Sequence, residues 1–342
     1  MQHRSARLAA LEPGETMKMV YGAALLAVSA CAWAQQGAEF SVPHQLIDVG
    51  GGRKMNLYCS GQGAVTVVFD AAAGDAGWAW YRVQPEVARQ TRACVFDRAG
   101  FGFSDPATQP NTAEGVAADL HKLLSAAGEK GPYVLVGNSL GGANVQVYAY
   151  RHPEQVKGLV LVEAQHEDET DRLDRASGGK IRQIYAMVAG QGTYCLDAAR
   201  KGFDTDSEAE RNCIGEPLQT FGPKLGAALL ASERKASYWQ ANVDEYAAMG
   251  TSDEQLRKLR RPFGDIPVLV LTRGVSPYAI PGEPQTALNK TVEDENFAIQ
   301  KEFTKLSPRA SQRVVAGAGH VIQGEKPEAV VSAVLEVVHQ VR

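Results

Sequence analysis

Ser139 lies in Gly137-Asn138-Ser139-Leu140-Gly141, with Gly142 following. Just upstream, Tyr133-Val134-Leu135-Val136 is short and apolar and reads as a buried parallel strand. Downstream, Ala143 to Arg151 is helix-compatible and stopped by Pro153. Strand, G-x-S-x-G and helix in succession spell a nucleophile elbow. A sharp turn lifts the serine hydroxyl off the sheet edge, and minimal side chains two residues either side let strand and helix approach. The Leu140 amide then points at the same spot and can bind an oxyanion. A serine so placed suits acyl transfer, which also needs a base, an orienting acid and a second donor to the oxyanion.

Of the seven histidines, only His320 sits in a small-residue loop after a late strand, Gly317-Ala318-Gly319-His320. That puts it at the carboxyl end of the sheet, where open α/β sheets gather their ligands. His320 is therefore the expected base. The strand before it ends Leu271-Thr272-Arg273-Gly274-Val275-Ser276-Pro277, with no carboxylate, and the first one beyond is Glu283. The strand after the serine's instead ends Leu161-Val162-Glu163-Ala164, so Glu163 is the expected acid. Glu283, Glu167, Asp168, Glu293 and Asp294 are the other carboxylates in contention. The second oxyanion donor is expected from the loop after the third strand, Ala71-Ala72-Ala73-Gly74, with the Ala73 amide chosen. The stretch Asp97-Arg98-Ala99-Gly100-Phe101-Gly102-Phe103-Ser104 has glycines but no following lysine, so a phosphate cradle is set aside. It reads as a structural loop bordering the site, with Asp97 and Arg98 in local polar bonding.

These residues need a sheet to stand on. Phe40 to Val49 and Arg53 to Cys59 read as an opening β-ribbon turned by Gly50-Gly51-Gly52. Strands follow at Val65 to Asp70, Ala93 to Phe96, the elbow strand, Gly158 to Val162, Pro267 to Leu271 and Gln312 to Val315. Between them, helices are expected over Trp78 to Gln90, Thr112 to Ala127, Thr291 to Leu306 and Pro327 to Val341. Short apolar strands alternating with helices imply a parallel sheet covered on both faces. The interval 165–262 breaks the alternation, is richer in charge, and includes amphipathic stretches such as Leu229 to Met249. It reads as an inserted helical lid, in which Tyr238, Trp239 and Tyr246 are either pocket lining or lid core. The expected division is 1–34 as extension and signal peptide, 35–164 and 263–342 as the two parts of the core, and 165–262 as the lid.

With 342 residues, 44% hydrophobic and 22% charged, the chain has an ordinary globular balance. A formal charge of −4 and the lack of a long basic run give no reason to expect nucleic acid as a partner. Met17-Lys18-Met19, the apolar run Val20 to Ala30 and Ala32-Trp33-Ala34 predict a secretory signal peptide cleaved after Ala34, with residues 1–16 preceding the true start. The run is too short to span a membrane. Val28-Ser29-Ala30-Cys31 offers the alternative of a lipid anchor at Cys31. Periplasmic or secreted export makes the four later cysteines an expected pair of bridges. Cys195 and Cys213 lie close in one polar segment and are expected to pair, which leaves Cys59 with Cys94.

Together these motifs resemble the α/β-hydrolase fold superfamily. The small loop after Phe69-Asp70, the stretch from Asp97, the elbow around Ser139 and Gly319-His320 follow one another in its order over about residues 45–340. The resemblance implies an eight-stranded, mostly parallel sheet in the order 1-2-4-3-5-6-7-8, with helices on both faces and the lid between strands 6 and 7. Strands 2 and 4 are then neighbours, which places Cys59 within bridging distance of Cys94. Some lipase-like members carry their acid at the end of the sixth strand, where Glu163 falls. Two departures stand out: Ala71-Ala72 replaces the usual His-Gly pair, and the late acidic position is empty. The implied activity is a serine hydrolase acting on a small-molecule carboxylic ester, without cofactor or metal. The fold also hosts haloperoxidase, lyase and acyltransferase chemistry and non-catalytic binding proteins. Its aspartate-nucleophile epoxide hydrolases and dehalogenases are disfavoured by the serine at the elbow.

Overall fold

The computed structural model describes residues 37–215, 221–279 and 282–342; the expected signal peptide and Cys31 lie outside the described residues. The strands are β1 (Gln45–Asp48), β2 (Lys54–Ser60), β3 (Thr66–Asp70), β4 (Arg92–Phe96), β5 (Tyr133–Asn138), β6 (Val156–Val162), β7 (Val268–Arg273) and β8 (Ala310–Val315). The helices are α1 (Gln84–Ala88), α2 (Ala113–Ala126), α3 (Leu140–Arg151), α4 (Glu169–Ser177), α5 (Lys180–Lys201), α6 (Glu208–Cys213), α7 (Gly222–Glu233), α8 (Ala236–Leu259), α9 (Ala287–Glu302), α10 (Ile322–Glu325) and α11 (Pro327–Val341).

All eight strands form one sheet in the order β1-β2-β4-β3-β5-β6-β7-β8, the order the family resemblance implies. β1 and β2 are antiparallel to their neighbours, and the run from β4 to β8 is parallel. Every residue of β3, β5 and β7 is buried, because the central strands are covered on both faces. Side chains alternate between two cores. Val67, Phe69, Val134 and Val136 pack with Trp80 and with Val330, Val334 and Val337 of α11. Val68 and Leu135 face the other way, onto Leu120 and Leu123 of α2, Val145 and Tyr148 of α3, and Phe303. Truncating any such fully buried side chain to alanine costs about 2–5 kcal/mol.

The chain runs from β3 outward to β4 and then crosses back to β5 on the other side of β3. The carboxyl ends of β3 and β5 therefore flank the point where strand order reverses, the crevice in which open α/β sheets bind ligands. Among the described residues, five α-helices, α4 to α8, lie in the chain between β6 and β7. Cys59 and Cys94 are direct register partners on β2 and β4 and form a disulfide; a second joins Cys195 of α5 to Cys213 of α6. Among the described residues, no helix is long and apolar enough to cross a membrane.

Several helices differ from expectation. Trp78 to Gln90 is a 3-10 turn at Gly77–Trp80 followed by α1, whose start is set by Pro85 in its first turn. α9 begins at Ala287, four residues before the expected Thr291, because the Thr286 hydroxyl caps the Asn289 amide; its tail, Phe303–Leu306, tightens to 3-10. Leu229 to Met249 is two helices, α7 and α8, parted at Arg234-Lys235. The first strand is only Gln45–Asp48, and Phe40 instead joins the core beneath it.

Candidate active site

β5 and α3 meet at Ser139, whose backbone sits at φ 53°, ψ −122°. Non-glycine residues rarely take such angles, so the surroundings must over-determine them. The Ser139 amide donates to the Val162 and Glu163 carbonyls, each at 3.2 Å. Its own carbonyl accepts from the amides of Gly142 (2.8 Å) and Gln165 (2.9 Å). The flanking glycines answer to crowding. A Cβ on Gly137 would lie 2.3 Å from the Gly141 carbonyl oxygen, and one on Gly141 would lie 2.5 Å from those of Asp70 and Ala71. Leu140 is the first residue of α3, so its amide has no acceptor within the helix.

Glu163 follows β6 directly, where the chain turns at φ 44°. Its carboxylate is buried. Oε1 accepts from the Arg273 amide at 2.8 Å and from Asn296 Nδ2 at 3.5 Å. Oε2 accepts from Arg273 Nη1 at 2.7 Å. His320 Nδ1 stands 3.6 Å from the same Oε2. Burial opposes ionisation of Glu163, but Arg273 and then His320 outweigh it and hold the carboxyl below the usual range.

His320 is half-buried, on the turn that leaves β8 through Gly317. The turn is tied on three sides. The Gly274 and Val275 amides both donate to the Ala318 carbonyl at 2.9 Å, the Gly319 amide donates to Glu325 at 2.8 Å, and Asn138 Nδ2 donates to the His320 carbonyl at 3.3 Å. Asn138 also accepts from Gln323 Nε2 at 2.9 Å. The residue preceding the serine thus holds the backbone of the histidine.

The other carboxylates in contention face elsewhere. Glu293 pairs with Arg273, Glu167 with Arg260, Asp168 with Arg257 and Asp294 with Lys290, while Glu283 is exposed. Among the described residues, two groups have the closeness of metal ligands. In Cys59, Cys94 and Glu129 the sulfurs are a disulfide, and in His166, Glu167 and Asp168 the carboxylates are already paired with arginines.

The loop after β3 carries Ala73, and among the described residues the Ala72 and Ala73 amides have no acceptor. Arg98 grips this loop from beneath. Nη1 donates to the Asp70 carboxylate (2.7 Å) and the Ala71 carbonyl (2.8 Å), and Nη2 to the carbonyls of Ala72 (2.7 Å) and Asp75 (3.3 Å). Its Nε pairs with Glu245 of α8 at 2.7 Å, whose other oxygen accepts from the Gly74 amide at 2.9 Å. Arg98 is therefore not bonded locally, as its position in a glycine-rich loop had implied. Asp97 is so only in part: it accepts from the nearby Phe103 amide, but also from the Gly77 amide and from Asn56 Nδ2, 20 and 41 residues away. The three aromatic residues of α8 divide. Tyr238 donates to the Gly74 carbonyl at 3.1 Å and Trp239 to the Glu233 carbonyl at 2.7 Å, whereas Tyr246 lines a cavity of about 200 Å³ with Tyr185, Thr170 and Asp253.

Arg273, Asn138, Arg98 and Glu245 were not marked by the sequence as site residues. Arg273 carries the signal that marked Glu163, a charge ending an apolar strand. Glu245 carries none, being one of many acids on a mixed helix.

A family model described as alpha/beta hydrolase fold matches residues 65–188. An uncharacterized protein of Bacillus subtilis, YbdG, is 26% identical over 203 residues, 56% of this chain; the match spans 62% of that relative's length. The 2-hydroxy-6-oxo-2,4-heptadienoate hydrolase of Pseudomonas putida is 29% identical over 255 residues, 73% of this chain and 85% of its own. Among solved structures, a thermophilic esterase from Thermogutta terrifontis superposes with a TM-score of 0.56 at 21% identity, over 86% of this chain and 97% of its own.

Proposed function

This chain belongs to the α/β-hydrolase fold superfamily, and we propose that within it the protein is an exported serine hydrolase that cleaves a small-molecule carboxylic ester. The observation that carries this reading is the line from Glu163 Oε2 to His320 Nδ1, 3.6 Å, with the His320 carbonyl held by Asn138, the residue beside Ser139. In this mechanism His320 takes the Ser139 proton as Oγ attacks the ester carbonyl. Its imidazolium, steadied by Glu163, returns the proton to the departing alcohol. Water, deprotonated by the same histidine, then releases the acid from Ser139. The Leu140 and Ala73 amides receive the oxyanion, and losing one such donor typically costs about 3–4 kcal/mol of transition-state stabilisation. Helices α4 to α8 act as the lid over the sheet edge and supply the pocket. A serine at the elbow favours an acyl-enzyme over the alkyl-enzyme of aspartate-nucleophile relatives. The two disulfides fit an oxidising compartment and support export.

Labelling with a fluorophosphonate, followed by a chain-length series of nitrophenyl esters, tests the reading. The expected result is labelling abolished by Ser139→Ala and ester turnover with a preferred chain length. Absence of labelling in folded protein, or labelling that survives Ser139→Ala, would point to a non-catalytic member of the fold.

A further inference from the structure

β7, the strand that precedes the histidine's and is followed by no nearby carboxylate, ends in a cation. Arg273 is buried, and it meets Glu163 twice. Its amide donates to Oε1 at 2.8 Å and its Nη1 to Oε2 at 2.7 Å, closer than the 3.6 Å from that same oxygen to His320. Its other edge is fixed by a two-pronged pair with Glu293 of α9, both bonds at 2.9 Å.

We propose that Arg273 is a positioning residue for the reaction at Ser139: it keeps the Glu163 carboxylate ionised and aimed at His320, and so sets how acidic a medium the site tolerates. The inference rests on the serine-hydrolase reading above. A carboxylate this deeply buried is costly to ionise with only a half-buried imidazole for company. Arg273 removes that cost by a direct ion pair, while its backbone amide fixes the plane of the carboxylate. The remaining groups facing this unit are Glu169 of α4, whose carboxyl burial and then the Glu163 charge push up to about 8 so that it is largely neutral below that pH, Tyr278 beyond β7, Asn296 of α9, and Glu325 of α10, which holds the Gly319 amide. These groups are common to wild type and the variants below, so the difference in midpoint reads the substitution at position 273 or 293 together with any response of Glu169.

The rate of fluorophosphonate labelling of Ser139 is measured from about pH 4 to 8, a span that brackets ordinary histidine titration. In Arg273→Met the acidic midpoint is expected to rise by about one pH unit, a tenfold change in tolerated proton concentration. The midpoint rises because Glu163, without its ion pair to Arg273, takes up a proton more readily. Arg273→Lys, which keeps the cation, is expected to restore it. Glu293→Gln leaves Arg273 less neutralised and is expected to move the midpoint down. Labelling slowed equally at every pH, with the midpoint fixed, would show a merely structural arginine and overturn the proposal. Should Arg273→Met fail to fold, the sign of the Glu293→Gln shift decides, and an unmoved or rising midpoint overturns it. Folded wild-type protein that is never labelled is a separate result: it removes the hydrolase reading, and this inference with it.

Discussion

The Nε of Arg98 donates a 2.7 Å hydrogen bond to Oε1 of Glu245, joining the end of β4 to the middle of α8. Both side chains are fully buried, and Asp70 completes the unit from β3. Through it the loop Ala71–Gly74 is held by Arg98 at the Ala71 and Ala72 carbonyls and by Glu245 at the Gly74 amide. A helix inserted between β6 and β7 thus fixes the backbone that carries the Ala73 amide.

Glu245→Gln is accordingly expected to affect rate as well as stability. Glutamine keeps the volume and one acceptor but loses the charge facing Arg98. Removing one partner of a buried ion pair costs about 3–5 kcal/mol at the extreme, and less here because Asp70 remains. A loop loosened by a fraction of an ångström should lower kcat on a nitrophenyl ester by about 10–100-fold, with KM changing far less. Steady-state kinetics beside a urea melt separates the two effects. A lower melting midpoint with unchanged kcat would confine Glu245 to a structural role.

Glu163→Gln tests the acid. The amide preserves the shape but offers His320 a neutral partner in place of a carboxylate, so the imidazolium formed during the reaction loses its stabilisation. Turnover is expected to fall by about 10³–10⁴-fold, in line with the loss of an orienting acid in comparable triads. Near-normal kcat would transfer the role to another carboxylate, although Glu293, Glu167, Asp168 and Asp294 are each already turned toward a cation.

The disulfide between Cys195 and Cys213 closes a loop with a sequence separation of 18 inside the inserted helices. A loop of that size contributes about 3 kcal/mol through the entropy of the unfolded chain. Paired Cys195→Ala and Cys213→Ala substitutions should therefore lower the stability of that segment by about 2–4 kcal/mol, while the sheet and its Cys59–Cys94 bridge persist. Hydrogen exchange resolved by segment is the measurement. Protection lost equally in β5 and α5 would mean that the insertion and the sheet unfold as one unit.

What was legible in the sequence follows the range of the interactions. Ser139 and its glycines are a local pattern, because the elbow is built from neighbours in the chain. His320 was legible because few histidines follow a late strand on a small-residue turn. Glu163 shows as a charge ending an apolar strand, whereas Arg273 bears the same mark but, being a cation, offers no acid. Arg98 was assigned local bonds, yet its partners Asp70 and Glu245 lie 28 and 147 residues away, a closure that only the sheet order and α8 bring about. The break between α7 and α8 has no glycine or proline to announce it.

His166, which the site does not use, is expected to make the protein sensitive to acid. It is buried, tilted against the Phe303 ring, and accepts from the Asp168 amide at 3.1 Å, while among the described residues its Nε2 has no hydrogen-bond partner. Burial, followed by the neighbouring Arg260, pushes its pKa down from 6.5 to about 3. Unfolded chains take up this proton near 6.5 and the folded protein does so only near 3, so between those values the unfolded state binds more protons. Stability from this group is complete above pH 6.5 and declines as pH falls toward 3. Two units below the unfolded value the loss is roughly 3 kcal/mol, at about 1.4 kcal/mol per unit. Urea melts at about pH 7.5 and 4.5 should show His166→Gln losing roughly that much less than wild type between the two conditions. An identical acid-induced loss in the two proteins would place the sensitivity elsewhere.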